Sequence, residues 1–128
     1  YISNTHPPTF PDGLDVEVFS FMALKKAHQE ATLKSEREHV TAFIWKHPDK
    51  LKLKNIEYKS DYSKERWTLD TKEDFEFIQH VIEECQKHGG GYLSWLNILD
   101  IVNQHPEWRF INSNQQRNDS YLKSLQTD

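Results

Sequence analysis

Two carboxylates stand two residues apart in "LDVEVFSF" (14–21): Asp15 and Glu17. Alternate side chains of an extended strand leave the same face, so the pair projects together, ~7 Å apart. Such a pair can hold a cation or accept hydrogen bonds from sugar hydroxyls. A solvated strand face is the plainer reading of the spacing alone. Phe19 and Phe21 continue the same face, however, and argue against its being wholly wet.

A second group crowds the start of a helix: Arg37, Glu38, His39 and Thr41. Glu38 has a ready structural role as the partner of Ser35 in a capping box. His39 has the titration range of a donor or a base near neutrality, although a histidine beside a core position is more often structural. Asp70 is the third candidate, placed where the apolar run "RWTL" hands over to an amphipathic helix. Ligands of open α/β sheets gather at the C-terminal ends of strands. A carboxylate there suits Mg²⁺, which takes one or two carboxylates together with phosphates and waters. The competing reading is that Asp70 or Thr71 only caps the helix.

Other chemistries find less support. The seven histidines form no zinc-like pair with cysteine or carboxylate at ligand spacing. Cys85, the one cysteine, lies on a helix's apolar stripe, which disfavours a thiol nucleophile. "HGGG" at 88–91 follows a helix and lacks the Gly-Lys-Ser/Thr of a phosphate loop, so it reads as a helix end and linker.

The elements that must position these groups are legible as patterns. "LDVEVFSF", "LKLKNIEY" and "KERWTL" read as strands, and the opening "YIS" as a strand already under way. Helices are expected over 22–34, with Leu24, Ala27 and Ala31 inward, and from Ser35 to Pro48, with Val40, Phe43 and Ile44 inward. The longest helix begins at Thr71 with Asp74 as its box partner, burying Phe75, Ile78, Val81, Ile82 and Cys85. Ser94 opens another, with Trp95, Leu99 and Val102 inward. The order β, β, α, α, β, β, α, α predicts α/β or α+β layers over a single core. Two regions are expected, 1–87 and a helical extension with tail at 88–128.

Length and charge set the outer bounds. The chain has 128 residues, with 16 Lys+Arg against 20 Asp+Glu, a net charge of −4. That balance argues against a nucleic-acid grip based on bulk charge. No apolar run approaches the ~20 residues of a membrane span. A single cysteine rules out an intrachain disulfide and makes a reducing cytoplasm the expected setting. The opening "YISNTHPPTFPDG", in mid-strand and without methionine, reads as a fragment.

Three strings in order then carry a resemblance. "FPDGLDVEVF" (10–19), "SEREHVT" (35–41) and "LDTKEDF" (69–75) are similar to "YPDGLDVEVF", "SEREHVT" and "LDTPEDF" of the spore-coat polysaccharide type of cytidylyltransferases. The tail "NSNQQRNDSYLKSLQTD" resembles that family's "N…RNEGYxKSLxED". Lys72 stands in place of a proline and Ser120 in place of a glycine.

The resemblance implies a nucleotide-diphospho-sugar transferase fold, a three-layer α/β/α sandwich around a mixed sheet. It implies transfer of CMP from CTP to a sugar or sugar acid, with release of pyrophosphate, in surface polysaccharide synthesis. Mg²⁺ is the implied cofactor and Asp70 its implied ligand. Asp15, Glu17, Arg37, Glu38 and His39 are expected to line the acceptor-sugar pocket; no catalytic residue is assigned. The family's Gly-rich nucleotide loop would precede Tyr1, so the 128 residues alone are expected to be inactive. An incomplete sheet leaves an open edge, and self-association into a homo-oligomer is expected. The alternative function is a non-catalytic, self-associating interaction module.

Overall fold

The computed structural model describes residues 1–89, 91 and 93–128. In chain order the elements are β1 (Ile2–Ser3), β2 (Glu17–Val18), α1 (Phe21–Glu30), α2 (Lys34–Glu38), α3 (Ala42–Lys46), β3 (Lys54–Asn55), α4 (Lys72–Lys87), α5 (Trp95–Gln104), a 3₁₀ turn (Pro106–Phe110) and α6 (Asp119–Leu125). They form two units. The first holds Tyr1–Phe10, Asp15–Tyr62 and Arg117–Asp128; the second holds Pro11–Leu14 and Ser63–Gln116. The expected boundary at 87/88 falls inside the second unit, just past α4.

The first unit contains the mixed sheet, in the order β2-β1-β3. β1 runs antiparallel to β2, pairing Ile2 with Val18 and Ser3 with Glu17, and parallel to β3, pairing Ile2 with Lys54. The expected strand over "LDVEVFSF" is cut to two residues because Ser20 immediately caps α1, its hydroxyl accepting from the Ala23 N–H at 3.1 Å. Ala23, Ala27, Phe43 and Ile44 form the core here, with Tyr1, Phe19, Ala31 and Leu51 packed against it.

The single helix expected from Ser35 to Pro48 is two helices, and the expected Ser35–Glu38 box is absent. Leu33 is the N-cap of α2 and makes no side-chain cap bond. Ser35 lies inside the first turn, and the Asp128 carboxylate serves it instead. The Ser35 N–H and hydroxyl donate to Asp128 at 2.7 and 2.6 Å. A carboxylate at a helix N-terminus satisfies an orphan N–H and favours the dipole. α2 stops at His39, whose backbone is extended, and α3 begins at Ala42. Val40, expected inward, is exposed in the link.

The second unit packs α4 against α5 and the 3₁₀ turn. Both expected caps are present: Thr71 with Asp74 opens α4, and Ser94 with Asn97 opens α5. Gly89, with φ +99°, follows α4 as expected of a helix end. Gly90, in the middle of the expected linker, lies outside the described residues. The core is Phe77, Val81 and Val102, with Trp67, Ile78, Cys85, Ile98, Trp108 and Ile111 around it. The buried stripe of α4 is therefore 74-77-81, and Phe75 and Ile82, expected inward, are exposed. Its phase is set by Asp74, which is drawn inside.

The expected strand "KERWTL" is reduced to one parallel bridge, Arg66 with Asp12. The Asp12 N–H donates to the Glu65 carbonyl at 2.8 Å, and the Trp67 N–H donates to the Asp12 carbonyl at 2.7 Å. Gly13 follows at φ +107°, where a Cβ would stand 2.7 Å from the Trp67 carbonyl oxygen. Glycine alone meets both demands. Gly13→Ala should therefore destabilise the second unit by about 2 kcal/mol or more. Gly91→Ala, whose Cβ meets nothing within 4 Å, should change it by no more than about 0.5 kcal/mol. Denaturant melts of the two variants compare them, and equal midpoints would contradict the close approach at Gly13.

Candidate functional sites

The first unit has a cleft of about 410 Å³, walled by residues from five segments. The loop after β1 supplies Thr5 and His6; Asp15, Glu17 and Phe19 come from β2 and its flanks. His39 and Thr41 come from the α2–α3 link, Trp45 from α3, and Asn118 and Tyr121 from the start of α6. Three of the five expected acceptor residues, Asp15, Glu17 and His39, thus share one cavity.

Each carboxylate is fixed differently. Arg117 donates to Asp15 in an ion pair and reaches the Phe10 carbonyl at 3.4 Å. Asn118, next in sequence, takes a left-handed conformation (φ 58°) that asparagine tolerates, and α6 starts at once. Glu17 accepts from two neutral hydroxyls, that of Tyr1 and that of Thr41 at 2.8 and 3.1 Å. Burial, reinforced by this bond to Glu17, pushes the Tyr1 phenol up to about 12. The phenol thus stays protonated and keeps donating.

Rings form the rest of the wall. His6 packs on Trp45 with centroids 4.6 Å apart, and Tyr121 meets Trp45 and His39 edge-on at 5.3 and 5.2 Å. Burial lowers His6 below the ordinary histidine range and outweighs the opposing pull of Glu17 and Asp15. It is neutral at pH 7. The His39 Nε2 is buried and has no hydrogen-bond partner among the described residues. Buried polar atoms are rarely left so.

Arg37 and Glu38 do not line this cleft. Successive helical residues turn by about 100°, so the two residues before His39 point elsewhere. The Arg37 guanidinium donates to the His28 carbonyl at 2.8 Å, and Glu38 is exposed at the end of α2. Sequence reasoning missed Tyr1, Trp45, Arg117 and Tyr121; the signal available was large aromatic residues set among polar neighbours.

The second unit holds Asp70, beside an arginine that the sequence reading left without a role. Arg66 gives a bidentate pair to Asp74, Nε to Oδ1 at 2.9 Å and Nη2 to Oδ2 at 2.8 Å. Its remaining reach goes to Asp12 and Asp70, each at 3.2 Å. Asp74, fully buried, also accepts from Asn112 at 2.9 Å and from the backbone N–H groups of Asp70 and Thr71. Burial alone would raise its pKa. The hydrogen bonds from Arg66, Asn112 and the Asp70 N–H, with the Arg66 charge, win and hold it far below the ordinary carboxylate range.

Asp70 itself is 70 % exposed, with Arg66 as its ion-pair partner. Among the described residues no group of three or more His, Cys, Asp or Glu side chains is disposed to hold a metal ion. Asp70 and its neighbours thus form no self-sufficient metal site among the described residues. Burial pushes the Cys85 thiol up, which lowers its thiolate fraction at neutral pH.

Asp74→Asn should destabilise the second unit by about 3 kcal/mol at neutral pH, because it strips a buried guanidinium of its main partner. Asp70→Asn, at an exposed pair, should stay within about 1 kcal/mol. The folded pKa of Asp74 lies below its unfolded value of ~3.9. Its stabilisation is therefore complete above that pH and is lost as the pH falls toward the folded value. Melts from about pH 2 to 7 should show the two proteins converging in acid. A constant gap across that range would contradict the ionised pair.

No family model matches the chain. Over 109 residues the chain is 37% identical to an uncharacterized protein of Methanocaldococcus jannaschii, a match covering 80% of the chain and 42% of that protein. A solved cytidylyltransferase from Leptospira borgpetersenii serovar Hardjo-bovis matches with a TM-score of 0.72 at 28% identity, over 91% of the chain and 46% of that protein. The chain spans less than half the length of either. No helix among the described residues is long and apolar enough to cross a membrane. In fold the chain is similar to part of a cytidylyltransferase.

Proposed function

We propose that the chain is the acceptor side of an enzyme that transfers CMP from CTP to a sugar or sugar-acid hydroxyl, releasing pyrophosphate. The likeness to a cytidylyltransferase over 91% of the chain carries this reading. The cleft of the first unit supports it independently. Sugars offer hydroxyl donors on their rim and C–H faces to rings, and the cleft sets carboxylates beside Trp45 and Tyr121. The three family-like strings are what support a role in surface polysaccharide synthesis, and use of CTP makes the cytoplasm the setting of the proposal.

In this reading Glu17 and Asp15 accept from acceptor hydroxyls and fix the sugar's orientation. Oriented binding of this kind is worth several kcal/mol of a transfer barrier. His39 lines the same cleft, its ring set edge-on to Tyr121, and is placed to pack against the acceptor. Asp70 is the proposed Mg²⁺ ligand of the chain, held in place by Arg66. The ion, when bound, neutralises phosphate charge.

Two variants of the full-length protein test the roles. His39→Ala should raise the KM for the sugar on the order of tenfold and leave that for CTP nearly unchanged. Asp70→Asn should lower kcat on the order of 10²-fold while the melting temperature barely moves. Equal effects of His39→Ala on both substrates would remove His39 from the acceptor site. Full activity of Asp70→Asn would leave Asp70 as no more than a surface partner of Arg66.

A further inference from the structure

We infer that the cleft of the first unit selects an acceptor carrying a protonated amine and disfavours one carrying a carboxylate. The inference rests on the acceptor-site reading above and narrows its substrate class. It follows from the charges that face the cavity. Two carboxylates line it, and no lysine or arginine does.

The two carboxylates are not equivalent. Asp15 is paired with Arg117. Glu17, by contrast, accepts only from the hydroxyls of Tyr1 and Thr41. Hydroxyls orient a carboxylate without cancelling its charge, so among the described residues Glu17 has no cationic partner. The nearby ammonium of Lys46 is committed elsewhere. It stands 5.5 Å from the Tyr121 ring centre and donates to the Ser35 hydroxyl at 3.3 Å. His6, neutral at pH 7, adds no positive charge.

A ligand ammonium entering here meets the Glu17 charge in a wall that also holds the rings of Trp45 and Tyr121. A ligand carboxylate meets the same charge, and the Arg117 guanidinium beside the cleft is already paired with Asp15. Carboxylate recognition ordinarily uses such a group.

Titration of the chain by NMR at neutral pH, following the Trp45 indole N–H, tests this. The probes are glucosamine, glucose and glucuronate, which share a ring and differ in charge. Glucosamine should bind on the order of tenfold more tightly than glucuronate, with glucose between them. Glu17→Gln should level the three, and Glu17→Asp, which keeps the charge, should keep the order. Glucuronate binding as tightly as glucosamine would overturn the inference. So would a preference that survives Glu17→Gln, or an indole signal that none of the three sugars moves. These titrations contain no CTP, so failure here removes the amine selectivity alone, and turnover by the full-length protein remains the separate test of nucleotidyl transfer.

Discussion

A carboxylate with no exposure to water needs a permanent cation and filled lone pairs, and Asp74 has both. Arg66 meets it in the fork geometry that suits guanidinium and carboxylate, and Asn112 and two backbone N–H groups complete its shell. The pair costs desolvation that Coulomb attraction only offsets when every partner is present. That condition is a constraint on the whole second unit. It brings the Asp12 turn to Arg66, holds Asn112 beyond the 3₁₀ turn, and turns α4 so that Phe77 and Val81 face Val102. Asp74 also closes the capping box with Thr71, so one side chain begins the helix and sets its rotation.

That double duty explains which features were readable in the sequence. The caps at Thr71 and Ser94 are local and depend on residues three apart, so they were read correctly. Of the stripe expected for α4, Val81 is buried and Ile78 and Cys85 pack on the core, while Phe75 and Ile82 are exposed because the charged Asp74 occupies the inward phase. Ser35 misled in the opposite way. Its local partner Glu38 fits the box pattern, but Asp128, 93 residues away, takes the helix start. The strands shrank because their hydrogen bonds go to single bridges and caps, which no alternation of side chains announces.

The candidate sites divide along the same line. Asp15 and Glu17 are legible as a same-face pair and His39 as a histidine near a helix start; that the three share one cleft comes from the fold. Arg37 and Glu38 were included by nearness in sequence, and helix rotation takes them away. Arg117, which pairs with Asp15 across 102 residues, and Tyr121, which closes the ring wall, depend on the tail's return to the first unit. Asp70 drew attention as the acid of a recognisable string, yet the organising groups around it are Arg66 and Asp74.

The proposed role for this chain is the acceptor-binding part of a CMP-transferring enzyme, with Asp70, paired with Arg66, as its proposed metal ligand. The most direct measurement is ³¹P NMR of the full-length protein with an amino sugar and Mg²⁺, supplied in turn with CTP, UTP, ATP and GTP. The account predicts, with CTP above the other three, matched growth of pyrophosphate and of a new CMP–sugar phosphorus signal. Free CMP without a sugar adduct, or no reaction preferring CTP, would contradict it.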